Sequence, residues 1–269
     1  MTGAAGGLGF ATSERLHNAG FQVHLTDVNG EAVAAAASRL GDPAWSSALD
    51  VADPGACRSI AGETVRRAGS LELWVNNAGI LRTKPAWEHS DEERRLVVSV
   101  NLEGTINGTV AAVERMRTAG RGHVLNVVSL SGIVVSPGQA LYAATKHGAL
   151  AFGLGTALDL RIEGVRDVHV SSLCPHGIWT PMLYGLADDP WAAGSWAGEM
   201  LSVDDVADVA MDLVRSPKPF RAVPRAQGPL LRLYSTFPRL MLAAAPMVMK
   251  AARRKQRAFR ELHANEVLR

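Results

Sequence analysis

Six short runs rich in β-branched and apolar residues punctuate this chain, and each gap between consecutive runs is long enough to hold a helix. The runs are Phe21 to Asp27, Ala44 to Leu49, Leu71 to Asn76, His123 to Ser129, Val168 to Cys174 and Phe220 to Val223. Helical patterns fall at 8–19, 30–40, 54–68, 90–118, 139–163 and 203–215, the fourth opened by Ser90 and Glu93 as a capping box. Parallel strands need crossovers of this length, so the alternation predicts an α/β fold, a doubly wound parallel sheet with helices on both faces. At 269 residues, with 47% hydrophobic and 20% charged, the chain suits one globular domain and excludes disordered or collagen-like classes. Cys57 and Cys174 are too few and too far apart for a disulfide framework or a zinc cluster, and are expected as buried thiols. The histidines show no metal-ligand spacing, so no metal site is expected.

The front of the chain reads Thr2-Gly3-Ala4-Ala5-Gly6-Gly7-Leu8-Gly9 and runs into the first helix. Glycines at this spacing let a backbone turn tightly, approach a pyrophosphate and pack a helix on a sheet, with free N–H groups left for the phosphates. Such a loop should follow a strand, and only Met1 precedes it, so a strand encoded upstream is the expectation. Asp27, 18 residues after Gly9, stands near the interval at which a carboxylate takes hydrogen bonds from an adenine-ribose diol. No Lys or Arg lies in the loop or just after Asp27, which favours NAD over NADP.

Tyr142 and Lys146 share one face of a helix, four residues apart. A neighbouring ammonium and a positive nicotinamide ring favour phenolate, so the pairing predicts a tyrosine pKa below its usual value of about 10 and proton exchange with a substrate oxygen. Ser129, 13 residues earlier at a strand end, can bond the same oxygen.

Together these features resemble the short-chain dehydrogenase/reductase family over most of residues 1 to 182. The shared marks are the loop TGAAGGLG, the turn Asn76-Asn77-Ala78-Gly79, and a serine followed by YxxxK. The resemblance implies a Rossmann-like fold and hydride transfer at a CH–OH group. By position it implies Tyr142 as general acid/base, Ser129 holding the substrate oxygen, Lys146 lowering the tyrosine pKa and gripping the nicotinamide ribose, and Asn101 anchoring a proton-relay water. It further implies cofactor contacts from Gly3, Gly7, Leu8 and Gly9, from Asp50 and Val51 at the adenine, and from Asn77, Ala78 and Gly79 under the ribose. Where the family reads PGxxxT this chain has Pro175-His176-Gly177-Ile178-Trp179-Thr180; Pro175, Gly177, Ile178 and Thr180 are carried over as cofactor contacts, and His176 is expected to pack or to face substrate. A family-fold scaffold without turnover is the alternative, disfavoured by the presence of Ser129, Tyr142, Lys146 and Asn101 together. Many members pair through two central helices, here 90–118 and 139–163, so a homo-oligomer is expected.

Residues 182 to 200 occupy the family's lid position, and Tyr184, Trp191 and Trp196, with Leu81, Trp87 and Trp179, predict an apolar alcohol or ketone as substrate, the competing reading being that these aromatics are core or interface residues. A domain over 1–224 is followed by a tail over 225–269. Residues 215 to 269 hold 13 of the 28 Lys and Arg but 2 of the 26 acids, leaving +11 on that segment and −9 on the rest. In the tail, Leu230, Leu233, Tyr234, Phe237 and Met241 fall on one helical face, Pro238 and Pro246 should kink or break the helix, and a basic cluster follows from Lys250 to Arg260. The tail is expected either on an anionic membrane surface or packed on the body or a neighbouring subunit; no nucleic-acid module is recognisable. The uncharged stretches 124–145 and 168–187 carry too many polar residues to span a bilayer, and no signal peptide follows Met1, which gives a cytoplasmic address as the expectation.

Overall fold

A computed structural model describes residues 1–263 of the chain. Strands β1 (His24–Asp27), β2 (Trp45–Ala48), β3 (Leu73–Asn76), β4 (Gly122–Val127), β5 (Val168–Pro175) and β6 (Phe220–Val223) are joined by helices α1 (Gly7–Asn18), α2 (Gly30–Leu40), α3 (Pro54–Ala68), α4 (Asp91–Val98), α5 (Gly104–Ala119), α6 (Ala140–Ile162), α7 (Pro181–Tyr184) and α8 (Val203–Arg215). Two further helices, α9 (Gln227–Ser235) and α10 (Pro238–Leu262), form the tail. Every pairing is parallel, β1 with β2 and β3-β4-β5-β6 in order. Period-two alternation sends successive strand residues to opposite faces. Trp74, Val124 and Val170 go to one, under α3, α5 and α6, and Val75, Leu125 and Leu173 to the other, under α1 and α8.

The two sheets are stitched at one residue. Thr2 bridges to Thr26 in β1 while its N–H donates to the Val75 carbonyl in β3 at 3.0 Å. The place of the expected leading strand is therefore filled only by Met1 and Thr2. Upstream of them a slot of about 320 Å³ opens between β1 and β3, with Val23, His24, Leu73 and Trp74 on its walls. Both flanking strands start later than the sequence predicts, at His24 and Leu73 rather than Phe21 and Leu71, where each meets the neighbour it pairs with, Trp45 of β2 and His123 of β4. The Met1 amine sits buried in the slot, donating to the His24 carbonyl at 2.9 Å, and burial pushes its pKa down to about 5.

The predicted helix 90–118 is interrupted. The capping box at its start is present, Ser90 Oγ accepting from Glu93 N and the Glu93 carboxylate from Ser90 N, both at 3.2 Å. A π-helical turn, Ser99–Glu103, then separates α4 from α5 and turns Asn101 fully inward. The whole run Asp91–Ala119 is long and apolar enough to cross a membrane, yet Val97, Ala111, Ala112 and Met116 on it are core residues.

Pro238 does break the tail as predicted, separating α9 from α10, whereas Pro246 lies inside a continuous helix. The turns beyond it are held in place by Met249 and Ala252 packed on Ala193, which fixes the helix across the missing N–H.

An amino-terminal extension of about five apolar, β-branched residues fills the slot with a strand and moves the amine out of it. Scanning calorimetry should show a melting temperature several degrees higher, since each 1 kcal/mol is worth roughly 2–4 °C at this size. An unchanged or lower value would show that the slot does not take a strand.

Candidate active site

The chain leaves Thr2, passes through α1 to β1 and β2 on one side, then crosses by α3 to β3 and onward on the other. The crevice beyond Thr2 and β3 is therefore the point where the winding reverses, the place where open α/β sheets bind ligands. Gly3 and Gly7 there have φ of 61° and 52°, which side chains resist. A Cβ on Gly9 would stand 2.1 Å from the Gly3 carbonyl oxygen, and one on Gly3 would stand 2.8 Å from Ala78 Cα. The loop thus lies directly on the Asn77–Ala78 turn. Thr2 Oγ1 accepts from the N–H groups of Asn77 (3.0 Å) and Ala78 (3.1 Å), and Asn77 Nδ2 donates back to the carbonyls of Gly3 (2.9 Å) and Thr2 (3.1 Å). No side chain caps the start of α1 and no acid occupies its first turn, so its N–H groups stay open to an anion. Asp27, at the end of β1, accepts from Ala5 N at 3.2 Å and Asn29 N at 3.1 Å and borders the same crevice.

Tyr142 and Lys146 stand in the first turns of α6, the lysine ammonium 5.6 Å from the tyrosine ring and donating to the Val127 carbonyl at 3.2 Å. Ser129 ends the β4 segment, its Oγ accepting from Ser131 N at 3.0 Å. The predicted lowering of the tyrosine pKa requires the positive nicotinamide ring as well as the ammonium; in the chain by itself the shift runs the other way. Burial drives Tyr142 up to about 12 against the opposing Ser129 hydrogen bond, and burial brings Lys146 down to about 8. Asn101 is spent on the chain itself: its Oδ1 accepts from Ile80 N and its Nδ2 donates to Ile80 O, both at 2.8 Å, which pins the backbone just after Gly79.

A cavity of about 1250 Å³ joins these groups, running from Gly3, Gly7, Leu8, Gly9 and Asp27 past Asn77, Ala78 and Gly79 to Ser129, Tyr142 and Lys146. Pro175, Gly177, Ile178 and Thr180 also border it, as does His176, whose Nε2 accepts from Gly198 N at 3.2 Å. Among the sequence-derived candidates, Asp50, Val51 and Asn101 do not line it. Asp50 Oδ1 instead accepts from Ala52 N at 2.9 Å, and Val51 is a core residue whose carbonyl takes the Asn107 amide.

A family model for short chain dehydrogenases matches residues 1–191. The chain belongs to the short-chain dehydrogenase family. It is an NAD(P)-dependent oxidoreductase acting on alcohol and carbonyl groups. It is 35% identical over 224 residues to 1-deoxy-11-beta-hydroxypentalenate dehydrogenase of Streptomyces avermitilis, covering 81% of each chain. It is 34% identical over 204 residues to cyclopentanol dehydrogenase of a Comamonas species, covering 75% of this chain and 80% of that one. Among solved structures, a short-chain dehydrogenase from Burkholderia phymatum in complex with NAD superposes with a TM-score of 0.80 at 24% identity, covering 90% of this chain and 93% of that one. A gluconate 5-dehydrogenase from Burkholderia cenocepacia in complex with NADP and tartrate gives 0.73 at 26%, covering 82% and 91%.

Past the family match, this short-chain dehydrogenase closes its cavity with residues the sequence reading had placed elsewhere. Of the six apolar residues assigned to substrate, only Leu81 lines the cavity. Trp196 is buried beside Leu81 and Leu183 under the lid; Trp179 packs on Tyr184 and Phe259; Trp191 lies under Arg253; Trp87 is exposed. Trp179, Trp191 and Trp196 join lid to tail rather than lining the cavity. The cavity wall comes instead from Leu230, Leu231 and Tyr234 of α9 and Met241, Leu242 and Val248 of α10. The helical face read from Leu230 to Met241 is split by Pro238, so Leu230, Tyr234 and Met241 turn inward while Leu233 and Phe237 stay outside. Gln256, buried in α10, straps the lid by donating to the carbonyls of Asp189 (2.8 Å) and Leu186 (3.2 Å), and Arg260 pairs with Asp188. A buried glutamine amid a cationic helix face was the one sequence signal of this strap.

Lys146 costs the fold stability as long as it is charged. Its folded pKa lies below the unfolded value of about 10.5, so the wild type should gain stability as pH rises from about 8 toward 10.5, where the unfolded chain holds the extra proton. Lys146→Met should raise the unfolding free energy from urea titration at pH 7 by ~1 kcal/mol, and lack that gain between pH 8 and 10. A variant less stable at pH 7 would show that the ammonium is a structural tie.

Proposed function

We propose that this enzyme moves a hydride between NAD and the carbinol or carbonyl carbon of a bulky apolar alcohol or ketone, with Tyr142 exchanging the hydroxyl proton. The observation that carries this reading is the continuous cavity, which begins at a glycine cradle and ends in an apolar chamber with Ser129 and Tyr142 between them. The chemistry NAD supplies when bound is the acceptance or donation of that hydride. The cradle fits a dinucleotide: Gly3, Gly6, Gly7 and Gly9 line the crevice with side-chain-free backbone, and the open first turn of α1 faces it. Asp27 would accept from ribose hydroxyls and repel a 2′-phosphate, and no cation in the glycine loop offsets that charge, hence NAD.

Ser129 and Tyr142 hold the substrate oxygen, and Lys146 grips the ribose side of the site. With Tyr142 near 12 before ligands enter, the positive charge of Lys146 and of the oxidised cofactor has to bring it back toward neutrality, so the tyrosine becomes a base only in the loaded site. Asn101 acts by fixing the Gly79–Ile80 turn. The two relatives, a hydroxypentalenate dehydrogenase and a cyclopentanol dehydrogenase, accord with a cyclic secondary alcohol. Pairing of two copies through the outer faces of α4 and α6 is supported by the exposure of Leu96, Leu158 and Ile162 there.

Screening cyclic secondary alcohols by NADH absorbance should give turnover that Tyr142→Phe lowers by about 10²–10⁴-fold with NAD affinity unchanged. A variant as active as the wild type would remove Tyr142 from the chemistry, and a chain that binds NAD without turning over any alcohol or ketone would be a scaffold. Sedimentation should read a dimer that Leu158→Asp splits; an unaltered dimer would move the interface elsewhere.

A further inference from the structure

One surface is left over once the cavity, the lid strap and the α4–α6 faces are accounted for. It is the outside of the elbow between α9 and α10. Leu233, Phe237, Leu240 and Met247 stand there 60%, 53%, 58% and 72% exposed, the first on α9, the second at the junction and the last two seven residues apart on one face of α10. A cluster of this kind on a soluble surface marks a contact site. On α10 the outward stripe that begins with Leu240 and Met247 continues as Lys250, Arg254 and Arg257, so one helix face changes from apolar to cationic along its length. These three cations have no ion pair among the described residues, whereas Arg253, Lys255 and Arg260 are bound to the lid. Between Asp212 and Glu261 the sequence holds 12 Lys and Arg and no acid, so the tail carries no carboxylate before Glu261 to answer them.

The elbow is also where the cavity opens. Leu230, Leu242 and Val248 line the cavity yet are 64%, 71% and 41% exposed, which makes them its rim. An apolar mouth surrounded by exposed Leu, Phe and Met and then by unpaired cations matches an anionic phospholipid surface, with acyl chains at the mouth and headgroups at the basic stem. A second copy of the same face would bring cation against cation.

We propose that the α9–α10 elbow docks this enzyme on anionic phospholipid bilayers and turns the cavity mouth toward the lipid, so that a lipid-dissolved substrate enters without crossing water. The route for substrate rests on the reading of the cavity above; the docking does not.

The test is flotation of the full chain, without cofactor, on vesicles of phosphatidylcholine alone and with one quarter phosphatidylglycerol, at low and high salt. The wild type should float only with the anionic vesicles and release in high salt. Neutralising Lys250→Gln, Arg254→Gln and Arg257→Gln together should cut the partition coefficient about a hundredfold, and Leu240→Asp with Met247→Asp should also abolish flotation, each with melting temperature and NAD binding preserved. Equal binding to both vesicle types, or flotation untouched by either variant, would overturn the proposal. So would a wild-type dimer that Leu240→Asp with Met247→Asp dissociates, because it would assign the face to a second copy. No readout depends on turnover, so a failure here leaves the catalytic reading standing.

Discussion

The N–H groups of Asn77 and Ala78 converge on one hydroxyl, Thr2 Oγ1, and on that convergence the geometry of the whole crevice depends. The bond joins the first residues of the chain to the end of β3, across the gap where the winding direction reverses. It holds the glycine loop against the turn so closely that neither Gly3 nor Gly9 has room for a side chain. With the loop fixed, α1 aims its open first turn into the crevice, and Asp27 comes to its rim through a bond from the loop's own Ala5. The two halves of the sheet meet at the same place, where Thr2 bridges to Thr26 and donates its N–H to Val75. The hydroxyl shares the work of holding fold and cradle with that N–H and with the Asn77 amide.

The second tension is electrostatic. Lys146 is buried beside the half-buried Tyr142, and removal from water disfavours the charged form of both, raising the tyrosine to about 12 and lowering the lysine to about 8. A solvent-exposed pair would escape that cost and would also be unable to concentrate its charge on a substrate oxygen, because water screens it. The price in stability is met by the core on either face of the sheet, where Val124, Leu125, Leu173 and Val206 are wholly enclosed.

Much of this was legible from residues alone. Helices α2, α3 and α8 and strand β6 fall at the predicted bounds, because each has local punctuation: Asn29, Asp53 and Ser202 cap the three helices with their own side chains. The glycine loop, the Asn77–Gly79 turn and the Tyr142–Lys146 pair come to one cavity, as motifs tied to a parallel sheet's carboxyl edge should. What local pattern could not carry were the long-range choices. Whether Trp191 or Trp196 faces a ligand depends on where α10 lies, and α10 is placed by Gln256 and Arg260 reaching back some 70 residues to the lid. The π-turn at Ser99–Glu103 has the same apolar rhythm as the helices it joins, so its inward-turned Asn101 gave no sign of being consumed by Ile80.

The central claim is that the loop laid on Asn77 and Ala78 is a dinucleotide cradle selected for NAD by Asp27. Isothermal titration of the wild type and of Gly9→Ala with NAD and NADP tests it directly. The account predicts NAD binding well above NADP in the wild type, and loss of both in Gly9→Ala with the circular dichroism unchanged, because the added methyl displaces the Gly3 carbonyl. Tighter binding of NADP, or a Gly9→Ala chain that takes NAD as the wild type does, would contradict it.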